Sequence, residues 1–135
     1  MASNGKPFAN HVRLYSQTGF NLTIRGNGEI CGTDDDADND SKIDILSGGG
    51  VSLVRLFGVN SNLYVCFGDD GIIYGEEDPT NEGTIFVEEF QGSYSAFMSN
   101  LYAGWYIGIK KNGLPKAGNQ TKYGQKAIKF LPRRL

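Results

Sequence analysis

One segment recurs three times in this chain, at a spacing of 41 to 43 residues, and nothing else in the sequence restricts the fold as much. The copies read Leu22-x-Ile24-x-x-Asn27-Gly28-x-Ile30-x-Gly32, then Leu63-x-Val65-x-Phe67-x-x-Asp70-Gly71-x-Ile73-x-Gly75, then Trp105-x-Ile107-x-Ile109-x-x-Asn112-Gly113. Gly118 supplies the late glycine of the third copy. A fixed period of this size marks one supersecondary unit repeated along the chain. Three copies in one short chain predict a closed, pseudo-threefold object.

The pattern inside each copy says what the unit is made of. Apolar residues at alternate positions are the two-residue repeat of a half-buried strand. Asn-Gly or Asp-Gly between such runs marks a tight hairpin, because the turn needs residues that tolerate positive φ. A second set of strands recurs at Ile43-x-Ile45, Ile85-x-Val87 and Ile128-x-Phe130. A third comprises Val12-x-Leu14, the run from Val51 to Leu56, and Tyr94 to Met98. The expectation is an all-β chain with roughly four strands per unit and about twelve in total. Its core is expected from Leu22, Ile24, Leu63, Val65, Ile107 and Ile109, with Ile43, Ile85 and Ile128. No window carries a helical period.

A chain of 135 residues makes one domain and buries about two-thirds of its unfolded surface. Residues 1–10 lack a pattern and are expected to be a flexible N-terminal arm, leaving residues 11–135 as a single domain. No apolar stretch reaches transmembrane length, so membrane insertion is not expected. The start has no signal-peptide core, which predicts a processed or recombinant form, or export without a cleaved signal.

Charge is sharply segregated. Residues 1–109 hold five bases and all 15 carboxylates, a net of −10, whereas residues 110–135 hold eight bases and no acid, a net of +8. Such asymmetry is either a solvated basic tail or one surface addressed to a polyanion. The lysines alternate with turn residues and apolar positions, as they would on a folded loop.

Three stretches carry a family resemblance: Asp70-Gly71-x-x-Tyr74-Gly75, the run from Trp105 to Gly113, and Tyr123-Gly124-Gln125-Lys126-Ala127-Ile128-Lys129-Phe130-Leu131-Pro132. Together they resemble the fibroblast growth factors, nearest the acidic member, over about Leu14 to Leu135. The resemblance implies a β-trefoil of twelve strands in three pseudo-threefold, four-stranded units. It also implies a secreted, extracellular signalling ligand that binds heparan sulfate or heparin together with a receptor tyrosine kinase ectodomain. No catalytic role, cofactor, metal or nucleic acid is expected, and the chain is expected to be a monomer on its own.

The heparin-binding positions that the resemblance implies are Lys110, Lys111, Lys116, Gln125 and Lys126, with Lys122 adding charge nearby. Two positions usually basic in the family are Ala117 and Gln120 here, and the first-hairpin position is Gln17 or Thr18. Binding weaker than the family norm and steeply salt-dependent is therefore expected. The implied receptor contacts are Tyr15, Glu88, Tyr94 and Leu131, with Ser93 in place of an asparagine and Phe97 in place of a tyrosine. Asp34 stands where an arginine is common, which reverses a charge at a contact position. Tyr15 and Tyr94 fit core packing as well as contact.

The acidic run at residues 34–40 lacks the glycine and glutamate of a calcium loop and reads as a solvated loop. Cys31 and Cys66 stand outside any zinc or disulfide framework and read as free thiols. No Cys–His or Ser–His–Asp pattern is legible. Glycosylation sequons begin at Asn21, Asn39 and Asn119. Two other classes stay open on the sequence: a trefoil scaffold, natural or engineered, without receptor activity, and a carbohydrate-binding trefoil lectin. The lectin would want an aromatic platform in each unit, and the chain has one tryptophan, Trp105.

Overall fold

A computed structural model describes residues 7–135, which form ten strands and four short 3-10 helices. The strands are β1 (Pro7–Ser16), β2 (Asn21–Ile24), β3 (Ile30–Thr33), β4 (Ile43–Ser47), β5 (Leu53–Gly58), β6 (Leu63–Phe67), β7 (Ile73–Glu76), β8 (Phe86–Gln91), β9 (Tyr94–Ser99) and β10 (Phe130–Arg134). Strand β1 opens at Pro7, inside the stretch expected as an arm; residues 1–6 of that stretch lie outside the described residues. No helix among the described residues is long and apolar enough to cross a membrane.

Antiparallel pairing runs β1–β4–β5–β8–β9–β10 and returns to β1, closing a six-stranded barrel. Closure satisfies the backbone donors and acceptors that an open sheet would leave at its edges. The β2–β3 and β6–β7 hairpins project from it, attached through β1 and β5. The third copy of the repeat is hydrogen-bonded but not as continuous strands. It makes isolated bridges between Met98 and Tyr106 and between Ile109 and Pro115. Its donors reach elsewhere, Ile107 N–H to the Phe97 carbonyl and Ile109 N–H to the Ala127 carbonyl, each at 3.0 Å. Pro115 has no N–H to extend a ladder. The expected twelve strands are therefore ten among the described residues.

The core fills the barrel and the space beneath the hairpins. Leu14, Leu22, Ile24, Ile43, Leu56, Val65, Phe86, Phe97, Ile107, Ile109, Ile128 and Phe130 are all fully buried. Ile85 corrects the expected list, because it is half-buried and Phe86 takes the core position. Each barrel strand after a 3-10 helix is preceded by a half-buried cap residue, Lys42, Ile85 or Lys129, and begins on a buried Ile43, Phe86 or Phe130. Ile85 occupies the lysine position of that pattern, one residue out of phase with the core.

Three hydrogen bonds tie the hairpin ends together. The carbonyls of Gly28, Gly71 and Gly113 accept from the N–H groups of Gly75, Gly118 and Gly32 respectively, each at 2.8 Å. The accepting glycines sit at φ +90°, +82° and +84°, a left-handed conformation that side chains resist. The donating glycines are required for space instead. A Cβ on Gly118 would lie 2.7 to 2.9 Å from three atoms of the Trp105 indole, and one on Gly32 would lie 2.6 Å from Phe20. Six repeated glycines thus form one ring of contacts over the barrel's end.

Two of the three 3-10 helices that precede barrel strands are pinned by the same polar pair. Arg13 Nε donates to Ser41 Oγ at 3.0 Å, and Arg55 Nε donates to Thr84 Oγ1 at 3.2 Å. At the corresponding third positions stand Phe97 and Ile128, both fully buried. Donor and acceptor have been lost together, which avoids leaving either one buried and unsatisfied.

Gly118→Ala should destabilise the protein by about 1–3 kcal/mol, the usual cost of overpacking against a ring that cannot yield. Chemical denaturation measures it, and an unchanged midpoint would show that the glycine ring does not need its close approach.

Candidate functional site

The third hairpin turn shapes the first wall of a cationic cleft. Lys110 N–H donates to the Leu114 carbonyl at 2.8 Å and Gly113 N–H to the Lys110 carbonyl at 2.9 Å. The Asn112 side chain accepts from Leu114 N–H at 3.0 Å. This closed turn leaves Lys111 exposed and Lys110 half-buried. The second wall is the segment after Pro115, with 3-10 helices at Gly118–Gln120 and Lys126–Ile128. Gln125 staples it: its Oε1 accepts from Lys122 N–H at 3.0 Å. Thr18 closes the floor by donating from Oγ1 to the Ile109 carbonyl at 2.9 Å.

The cleft encloses about 280 Å³ and is lined by Thr18, Lys110, Lys111, Lys116, Gln125, Lys126 and Ala127. Five of the six sequence-derived heparin positions converge there. Lys122 does not line the cleft; it stands exposed on the loop beside it. Of the two residues left open in the first hairpin, Thr18 is the one on the wall, and Gln17 points to solvent. No carboxylate lines the cleft, and among the described residues none of its lysines is in an ion pair. Like charges held this close repel, so the arrangement is suited to a ligand that carries several negative charges.

The positions derived as receptor contacts spread over a different face. Tyr15 and Leu131 are directly opposed across β1 and β10. Glu88, Ser93 and Tyr94 lie on the β8–β9 hairpin, where Glu88 accepts a hydrogen bond from Ser95 Oγ at 2.9 Å. Asp34 is exposed just beyond β3. Phe97 needs correction as a contact residue: it is fully buried, its ring centroid 6.2 Å from that of Phe130. A phenylalanine there completes the apolar third unit described above, and it presents no surface to a partner.

The acidic run is more ordered than a solvated loop. Arg25 bonds Asp38 at 2.8 Å and Asp40 at 3.1 Å. Burial opposes the charge on Asp38, yet the Arg25 guanidinium and the Asp40 N–H hold its carboxyl below the usual range. Asp36 accepts from Asn21 Nδ2 at 2.8 Å and from Arg133 at 3.2 Å. Asn21 is fully buried in this network, which removes the first sequon from the folded surface, while Asn39 and Asn119 remain exposed. Arg133 also sits over the Tyr15 ring, 4.3 Å from its centroid. Sequence reasoning missed this cluster, because only the register of β1 against β10 brings residues so far apart in the chain together. Cys31 and Cys66 are free thiols, and burial pushes both above their ordinary pKa.

Comparison with known proteins agrees with this architecture. The model of the fibroblast growth factor family matches residues 10–131. A fibroblast growth factor 1-like protein of Danio rerio is 33% identical over 98% of this chain and 90% of its own length. Fibroblast growth factor 18 of Homo sapiens is 31% identical over 90% of this chain, which spans 59% of that relative. Identities this close to one another single out no particular member. The chain belongs to the fibroblast growth factor family.

Proposed function

We propose that this chain is a growth-factor ligand that acts outside the cell by binding two partners at once. Heparan sulfate occupies the lysine cleft, and a receptor tyrosine kinase ectodomain takes the face that carries Tyr15, Glu88, Tyr94 and Leu131. The fold is a β-trefoil of three four-strand units, with the third hairpin bonded too irregularly to count as strands. Function rests on binding, with no catalytic step and no cofactor. The chain acts as a monomer.

One observation carries the glycan half: Lys110, Lys111, Lys116, Lys126 and Gln125 converge on a cleft that no carboxylate enters. Ammonium groups and backbone N–H groups on a rigid turn are the donors that sulfate needs. Residues 1–109 carry a net of −10, so a long polyanion is attracted locally and repelled beyond the patch. Half-buried Tyr15 and Tyr94 and the exposed Leu131, carried on a rigid barrel, support the receptor half.

The protein should elute from heparin at modest salt, and Lys110→Ala with Lys111→Ala should lower that salt further. By analogy with polyelectrolyte binding, losing two contacts reduces the slope of log affinity against log salt by about 1.5. Equal retention of the double variant would move the site elsewhere. On the receptor side, Asp34→Arg should tighten ectodomain binding in the presence of heparin by about fivefold, the effect of an exposed pair worth about 1 kcal/mol. If no ectodomain binds either protein at micromolar concentration, receptor signalling is not its function.

A further inference from the structure

A second cationic cleft lies on the barrel wall, apart from the lysine cleft. It encloses about 240 Å³ and is lined by Arg13, Asp36, Arg133, Arg134 and Leu135. Arg13 and Arg133 are direct cross-strand partners of β1 and β10. Like charges directly opposed on neighbouring strands are destabilising. Three guanidinium groups line it against a single acidic side chain, Asp36.

Two of the three guanidinium groups are held in place before any ligand arrives. Arg13 Nε is fixed on Ser41 Oγ at 3.0 Å. Arg133 is fixed on Asn21 Oδ1 at 3.0 Å, on Asp36 at 3.2 Å and over the Tyr15 ring. Its Nε–H is buried and has no hydrogen-bond partner among the described residues. A buried donor left unpaired is costly, and an incoming acceptor would remove that cost. Both Nη2 hydrogens of Arg133 are given to Asn21 and Asp36, whereas Arg13 bonds only through Nε among the described residues, so its planar Nη1–Nη2 fork can give a carboxylate two parallel hydrogen bonds.

We infer that this arginine cleft receives an acidic side chain, aspartate or glutamate, from the protein partner of the Tyr15–Leu131 face. Three features select a protein carboxylate over a sulfated polysaccharide. The cleft contains its own carboxylate, Asp36, which repels a dense polyanion. It borders Tyr15 and the exposed Leu131, an apolar rim suited to a protein surface. The chain also has a separate lysine cleft free of acids. The inference deepens the receptor half of the function proposed above and shares its premise that this face binds protein. Tyr15 then acts beneath a guanidinium rather than as a bare aromatic anchor, so the matching pocket is acidic.

The test uses the full chain, isotope-labelled so that the Nε–H resonances of Arg13 and Arg133 can be followed by NMR. The probes are the blocked dipeptide acetyl-Glu-Glu-amide, against chloride of equal ionic strength, and a heparin tetrasaccharide. The dipeptide should shift both arginine resonances saturably, with affinity at least fivefold weaker in Arg133→Gln and intermediate in Arg133→Lys, which keeps the charge but not the planar group held on Asn21 and Asp36. The tetrasaccharide should move residues 110–126 first. Three outcomes overturn the assignment: no saturable shift, unchanged affinity in Arg133→Gln, or the tetrasaccharide moving the arginines before the lysine loop. A second arm uses receptor ectodomains with heparin, where Arg133→Gln should weaken binding about tenfold without changing heparin elution. Equal binding by wild type and variant overturns the acidic-pocket assignment and leaves the growth-factor function standing. Failure of every ectodomain to bind overturns that function, while the dipeptide titration still decides the arginine cleft.

Discussion

The rest of the structure depends on close backbone approach between the three hairpin ends. Gly28, Gly71 and Gly113 turn the chain with positive φ and offer carbonyls to Gly75, Gly118 and Gly32 of the neighbouring hairpins. Each bond by itself is worth only about 1 kcal/mol net. Their weight comes from geometry, since the three hairpins cannot be placed independently. Side chains packed underneath, among them Leu22, Ile24, Val65, Ile107 and Ile109, are enclosed because the ring holds the hairpins over the barrel. Six glycines at fixed spacing are the sequence signature of that constraint.

The same ring sets the geometry of the cationic site. The Gly113 carbonyl accepts from Gly32 while its N–H closes the turn onto the Lys110 carbonyl. One residue therefore links the molecule's central constraint to the loop that presents Lys110 and Lys111. Gly118, bonded to Gly71, opens the 3-10 helix between Lys116 and the Gln125 staple. Both walls of the cleft hang from the ring, so the lysines occupy a rigid frame despite their long side chains. Anion binding on such a frame loses less conformational entropy than binding to a solvated tail of equal charge. This physical difference separates a site from a basic tail, and composition alone does not reveal it.

Much of this was legible in the sequence, wherever information is local and periodic. Alternation in Leu63, Val65 and Phe67 and the Asp70-Gly71 turn were enough to place a hairpin, and β6–β7 forms there. The clustering of lysines after residue 110 pointed to one surface, and five of the six proposed positions share one cleft. Errors arose where tertiary register decides. Ile85 looks like Ile43 by hydropathy but stands in phase with Lys42. Phe97 looks like a contact residue by alignment, yet it is fully buried where the other two units carry the arginine of a polar pair. Pro115 and the long-range bonds of Ile107 and Ile109 interrupt a hairpin that the repeat presents as regular. The cluster of Arg13, Asn21, Asp36 and Arg133 has no sequence signal at all, because it exists only through the pairing of β1 with β10.

A crystal structure with a heparin hexasaccharide would show whether the glycine ring carries a preformed sulfate site. Sulfate groups should lie within hydrogen-bond distance of Lys111, Lys116, Lys126 and Gln125, with the turn at residues 110–113 and the three glycine bonds unchanged from the free protein. Sulfates found instead on Arg13, Arg133 and Arg134, or a lysine loop that rearranges to meet the saccharide, would contradict a preformed site in the lysine cleft.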